Sequence, residues 1–249
     1  MPRSYGRQPG ELRPVRITRD FLEFAEGSVL VEFGKTKVIV SAAVHSGVPS
    51  FLRDTGRGWL TAEYAMLPKS VRDRIPRGRT SGRSYEIQRL IGRSLRAVTD
   101  LTAYGEQTIY VDCDVIQADG GTRSASITGA YVAVYDAFRL LDNQGLLTRW
   151  PLKAAVAAVS VGLLGENVAL DLDYQEDSQA EVDLNIVMTN QGGFVEVQGT
   201  AEGNPFGRTQ LDGMLEAGRK GIDQLFLLQR QSLGIASPGN SSSGPGLPV

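Results

Sequence analysis

The order in which strand-type and helix-type segments follow one another limits the fold of this chain more than any other feature. It opens with three runs rich in β-branched residues, 15–18, 28–33 and 37–44, the last two separated only by Gly34-Lys35-Thr36. A connection that short joins antiparallel neighbours, because a parallel pair needs a long crossover. A fourth run, 59–66, precedes a helix-type segment at 86–101, where Ile87, Leu90, Ile91, Val98 and Leu101 recur at helical spacing. Then come a strand at 107–117, a helix at about 124–141, strand-type runs at 154–164, 167–173, 182–189 and 194–200, and a last helix near 208–229. The pattern predicts a mixed α/β (α+β) class, with largely antiparallel sheets packed with helices. The length suits one large domain, read as 1–236, and the Ser/Gly/Pro-rich end, 237–249, reads as a disordered tail.

Charge is divided unevenly. Residues 1–100 hold 18 Lys and Arg against 10 Asp and Glu, whereas the remainder holds 8 against 18, although the whole chain carries only −2. That split points to a basic surface facing a polyanion and a separate acidic region. Much of the positive charge lies in 69–83, which has six basic residues and one acidic. This segment reads as a flexible loop whose Arg72, Arg74, Arg77 and Arg79 grip a nucleic-acid backbone, or else as a solvated surface loop. No apolar run is long enough to span a bilayer, and the basic start lacks the apolar stretch of a signal peptide. Cys113 is the only cysteine, so no internal disulfide can form, and the expected location is the cytoplasm.

The strongest local feature is Asp119-Gly120-Gly121-Thr122-Arg123, between a strand and a helix. Its glycines allow a tight turn, and the helix N-terminus behind them favours an anion. Thr122 adds a hydroxyl and Arg123 a planar fork for phosphate oxygens. A plain capped strand–helix connection would look the same. Arg83, just ahead of the helix-type segment at 86–101, could supply another guanidinium or could simply be solvated. An acidic stretch contains Asp173, Glu176, Asp177, Glu181 and Asp183. Asp177 and Asp183 could hold Mg2+ for phosphoryl transfer, or the stretch could be an acidic surface turn. Gly34-Lys35-Thr36 mimics the end of a P-loop, but position 29 is Val29 and the segment joins two strands. With His45 the lone histidine and Cys113 the lone cysteine, neither histidine-based catalysis nor a zinc site is indicated.

Several stretches together carry a family resemblance: 11–15 ELRPV, 58–68 GWLTAEYAMLP, 86–97 EIQRLIGRSLRA, 112–123 DCDVIQADGGTR, 176–185 EDSQAEVDLN and 196–203 EVQGTAEG. With their neighbours they cover about residues 11–232, and the chain resembles the bacterial ribonuclease PH family of phosphorolytic exoribonucleases. That resemblance implies a 3′→5′ exoribonuclease and tRNA nucleotidyltransferase in which inorganic phosphate attacks the last phosphodiester of tRNA precursors and other RNA 3′ ends, with a part in rRNA processing. It implies a phosphate site at Arg83, Gly121, Thr122 and Arg123, catalytic and Mg2+-binding acids at Asp177 and Asp183, a tRNA-gripping loop around 69–79, and a homohexamer built as a trimer of dimers. Ser84-Tyr85 departs from the family pattern of Thr-Met or Thr-Gln. The alternative is a catalytically inactive RNA-binding ring subunit, which should have lost the phosphate loop or the acid pair.

Overall fold

The computed structural model describes residues 3–77 and 81–235. Its order is β1 (Val15–Arg19), β2 (Gly27–Phe33), β3 (Thr36–Ser46), β4 (Trp59–Met66), α1 (Gly82–Ala97), β5 (Gln107–Gln117), α2 (Thr122–Asn143), β6 (Val156–Leu164), β7 (Asn167–Leu170), α3 (Tyr174–Asp177), β8 (Val182–Thr189), β9 (Phe194–Ala201) and α4 (Arg208–Leu233). One sheet runs β1-β2-β3-β5-β4 and the other β7-β6-β8-β9. The only parallel pairing among them is β4 with β5, joined by the α1 crossover. The mixed, mainly antiparallel class expected from the segment order is therefore the one observed.

Helix α2 lies between the sheets. A solvent-facing helix keeps one polar side, but every residue of α2 from Ser124 to Phe138 is buried. Against the first sheet it rides close, since a Cβ at Gly129 would sit 2.7 Å from the Val31 side chain. On its other side the Thr128 hydroxyl accepts a hydrogen bond from the Ala158 N–H of β6 at 3.2 Å. Helix α4 covers the far face of the second sheet through Met214, Ile222 and Leu225, all at most 1% exposed. The apolar core is continuous from β2 to α4.

Among the boundaries that differ from the sequence expectation, two bear on the site. Helix α1 starts at Gly82 rather than 86, because the Ser81 hydroxyl caps it by accepting the Ser84 N–H at 3.1 Å. The strand expected over 167–173 stops at Leu170. Asp171 turns the chain with a φ of 55°, and Asp173 then caps the short α3 by accepting the Gln175 and Glu176 N–H groups. The basic loop is also less free than expected up to residue 77. Ser70 is buried, and its carbonyl accepts the Ala118 N–H at 2.8 Å, which roots the loop beside the glycine turn. Arg79 and the tail 237–249 lie outside the described residues.

Candidate active site

Alternation along β8 sends Val182, Leu184 and Ile186 into the core and leaves Asp183 and Asn185 on the opposite face. Cross-strand pairing sets Asp183 against Thr200 and Asn185 against Gln198 of β9, so one polar strip crosses the second sheet. The N-terminus of α2 meets this strip. Arg123 donates to the Gln198 side-chain carbonyl at 2.8 Å, and the Gln198 amide donates to Glu86 of α1 at 3.0 Å. Arg123 itself is 3.7 Å from Glu86. Tyr64 of β4, buried in the first sheet, donates its hydroxyl to Thr122 at 2.9 Å. Side chains from both sheets and from α1 thus fix the first turn of α2.

The glycine turn makes that turn available to a ligand. Gly120 and Gly121 both have φ near +70° (74° and 66°), where L side chains are strained. Gly121 is the N-cap and brings no side chain to occupy the helix end. The first helical bond runs from the Ala125 N–H to the Gly121 carbonyl, so the N–H groups of Thr122, Arg123 and Ser124 precede the ladder. These groups and the helix dipole favour an anion.

Facing this turn are the two acids. Asp177 ends α3, and its carboxyl is raised by burial, partly offset by Arg83 and then Arg123. Asp183 is raised by burial and by the charge of Asp177, with Arg123 and Arg83 again opposing; Glu202 adds to the repulsion at both. Asn185 donates to Asp183 at 3.1 Å. The same two arginines act on Tyr64, whose hydroxyl is raised by burial. Arg83 is exposed, and among the described residues its guanidinium makes no hydrogen bond or ion pair. Arg83, Gly121, Thr122, Arg123, Asp177 and Asp183 therefore come together from four separate stretches of chain. Arg72, Arg74 and Arg77 stand exposed in the loop rooted beside them and make no ion pair among the described residues.

Sequence reasoning passed over the residues that brace this arrangement. Arg13, 1% exposed, forks onto Asp171 at 2.7 and 3.0 Å and donates to the Asp119 carbonyl. Thr36, set aside as part of a false P-loop, donates to the Gly120 carbonyl at 2.6 Å and accepts the Asp119 N–H at 2.8 Å. Arg3 and Arg7 both reach Glu176, so one member of the acidic stretch is a structural counter-charge. Glu86, Gln198 and Arg13 sit inside the stretches EIQRLIGR, EVQGTAEG and ELRPV, but nothing in their spacing announces a partner more than a hundred residues away. Two arginines of α1 are structural too: Arg93 pairs with Glu196, and Arg96 donates to the Leu60 carbonyl and stacks on Trp59. His45 lies edge-on against Tyr110, and Cys113 is buried.

Residues 11–139 match the first domain, and residues 154–221 the second domain, of the 3′ exoribonuclease family known as RNase PH. The chain belongs to that family. Solved structures agree at the level of fold. Rice (Oryza sativa) Rrp46 shares 21% identity over 93% of this chain and 100% of that one, with a TM-score of 0.77. A chain of the Archaeoglobus fulgidus exosome with RNA bound to the active site shares 23% over 92% of each, also at 0.77. An archaeal exosome core chain shares 23% over 92% of this chain and 90% of that one, at 0.72. No helix among the described residues of this RNase PH family member is long and apolar enough to cross a membrane.

Proposed function

We propose that this chain is a phosphate-dependent 3′→5′ exoribonuclease of the bacterial ribonuclease PH kind, trimming tRNA precursors and other RNA 3′ ends. One observation carries the reading: two guanidinium groups and a capless helix N-terminus face two carboxyls that burial raises above the ordinary aspartate range, Asp183 further through the charge of Asp177. Arg83, Arg123, the Thr122 hydroxyl and the N–H groups at the start of α2 hold inorganic phosphate. A phosphate oxygen attacks the terminal phosphorus in line, the bond to the 3′ oxygen of the preceding nucleotide breaks, and a nucleoside diphosphate leaves. The leaving oxygen takes a proton from one of the two acids, Asp177 or Asp183, a role that the raising of both carboxyls by burial suits, and carboxylate oxygens of the pair that carry no proton are left for the metal ion. Positioning and charge neutralisation supply most of the acceleration such a transfer needs, so no histidine base is called for. Run backwards, the same steps add a nucleotide from a diphosphate.

Asp177 and Asp183 are the residues that would hold Mg2+. Two hard carboxylates beside a phosphate match what that ion takes, and their mutual repulsion is what a cation relieves. Among the described residues no larger cluster of metal-binding side chains exists. Bound there, the ion would neutralise charge developing on the phosphoryl oxygens. The exposed Arg72, Arg74 and Arg77, with Arg79, would track the RNA backbone. The working form is taken to be a homohexamer, a trimer of dimers, in the cytoplasm, with rRNA as a further substrate. Large apolar side chains left in solvent, Phe24 at 93% exposed above all, leave surface for such contacts.

An inactive RNA-binding ring subunit is the competing reading. Retention of both arginines and both acids in one constellation argues against it. A 3′-extended tRNA incubated with and without inorganic phosphate separates the two. The enzyme shortens it only with phosphate and releases diphosphates, whereas an inactive subunit leaves it whole in both.

A further inference from the structure

We infer that Arg13, Asp171 and Thr36 form a positioning latch that fixes the phosphate-binding turn against the acids, so that phosphate affinity depends on residues that do not touch phosphate. The inference rests on the phosphate-site reading above and names the residues that would regulate it.

The latch joins three distant parts of the chain. From the segment before β1, Arg13 directs its side chain to both Asp171 oxygens, and its own backbone N–H donates to Asp171 at 2.8 Å. The same guanidinium donates to the Asp119 carbonyl on the glycine turn. Neither side chain of the pair has any solvent exposure. From the β2–β3 hairpin, Thr36, also fully buried, closes the turn from the other side through its bonds to the Gly120 carbonyl and Asp119 N–H. The turn thereby loses freedom at two consecutive peptides just ahead of the three N–H groups that would meet an anion.

Asp171 belongs at the same time to the acid side. It holds a φ of 55°, a conformation a non-glycine residue keeps only when its surroundings impose it, and six residues later the chain delivers Asp177. The turn is pressed against this segment. A Cβ at Gly120 would fall 2.7 Å from the Leu172 carbonyl oxygen and from the Asp173 carbonyl carbon. One buried pair therefore sets the turn, and with it Arg123, relative to Asp177. A misplacement of about 1 Å far from the reacting atoms can cost a catalyst roughly a hundredfold, which is the sensitivity a latch of this kind guards.

Removing one partner of a buried ion pair can unfold a protein, so Thr36 carries the test. Thr36→Val keeps the shape and deletes both hydroxyl bonds, whereas Thr36→Ser keeps the hydroxyl. Inorganic phosphate binding is measured by calorimetry, with KM for phosphate and for RNA measured in parallel. The latch predicts that Thr36→Val weakens phosphate binding and raises its KM by about tenfold, equivalent to a lost buried hydrogen bond, with KM for RNA nearly unchanged. Thr36→Ser then returns phosphate affinity to near the wild-type value. A Thr36→Val protein with a lowered melting point but wild-type phosphate affinity would overturn the latch and leave Thr36 a packing residue. If the unmodified chain neither binds phosphate nor needs it for turnover, the phosphate-site reading fails first, and that result is visible before either variant is made.

Discussion

Arg123 is held at one nitrogen by Gln198, which leaves the remaining edge of its guanidinium for a ligand. Arg123→Ala removes that edge while touching little of the core. We expect phosphorolysis to fall by about 10²–10³-fold, the usual loss for one preorganised donor, with the melting point near wild type. Undiminished diphosphate release would remove Arg123 from the site. Asp183 gives a prediction of opposite character. Its folded carboxyl is raised by burial and by Asp177, so its ionised form is disfavoured in the folded state. That cost is absent below the ordinary aspartate range, grows as pH rises through the interval up to the raised value, and is complete above it. Asp183→Asn should therefore abolish turnover, retain RNA binding and melt higher than wild type at neutral pH, with the difference shrinking in acid. Equal melting points at all pH values would contradict the electrostatic account. The residues that meet at the start of α2 were legible because Asp119-Gly120-Gly121-Thr122-Arg123 packs its chemistry into one short segment. Thr36, Arg13 and Gln198 were not, because each acts through a contact that only the closed fold creates.

Periodicity placed the strands well where one face meets the core and the other does not. Strands 59–66, 107–117 and 182–189 were read with the ends that β4, β5 and β8 have. It served less well at helix ends, which depend on single caps. Ser81 opens α1 four residues early, inside a segment whose basic composition reads as loop, and this carries Arg83 into a helix. In helix α2 the sequence shows an apolar face at Ile127, Tyr131, Val134, Phe138 and Leu141, yet from Ser124 to Phe138 the helix is buried on all sides because a second sheet covers what would otherwise be its outer face. The basic loop illustrates both outcomes. Arg72, Arg74 and Arg77 are exposed as expected, whereas the loop's root is fixed by Ser70. Replacing Arg72, Arg74 and Arg77 together with glutamine should weaken tRNA binding and flatten its dependence on salt by about 2–3 units in the log–log slope. An unchanged slope would place the RNA grip elsewhere.

Across the molecule, the uneven charge seen in the sequence resolves into two uses. Arg3, Arg7 and Arg13, from the basic first hundred residues, are drawn into the acidic second part as buried counter-ions of Asp171 and Glu176. Arg72, Arg74, Arg77 and Arg83 remain open to a polyanion. Light scattering should find six copies of the 26.9 kDa chain, and a monomer at working concentration would exclude the hexamer. The identity of the attacking group is tested most directly by isotope. With 3′-extended tRNA and inorganic phosphate carrying phosphorus-32, the released nucleotides should be diphosphates with the label at the β position and none at the α position. Unlabelled monophosphates, formed at the same rate when phosphate is left out, would show that water cuts the chain and that the two arginines serve some other purpose.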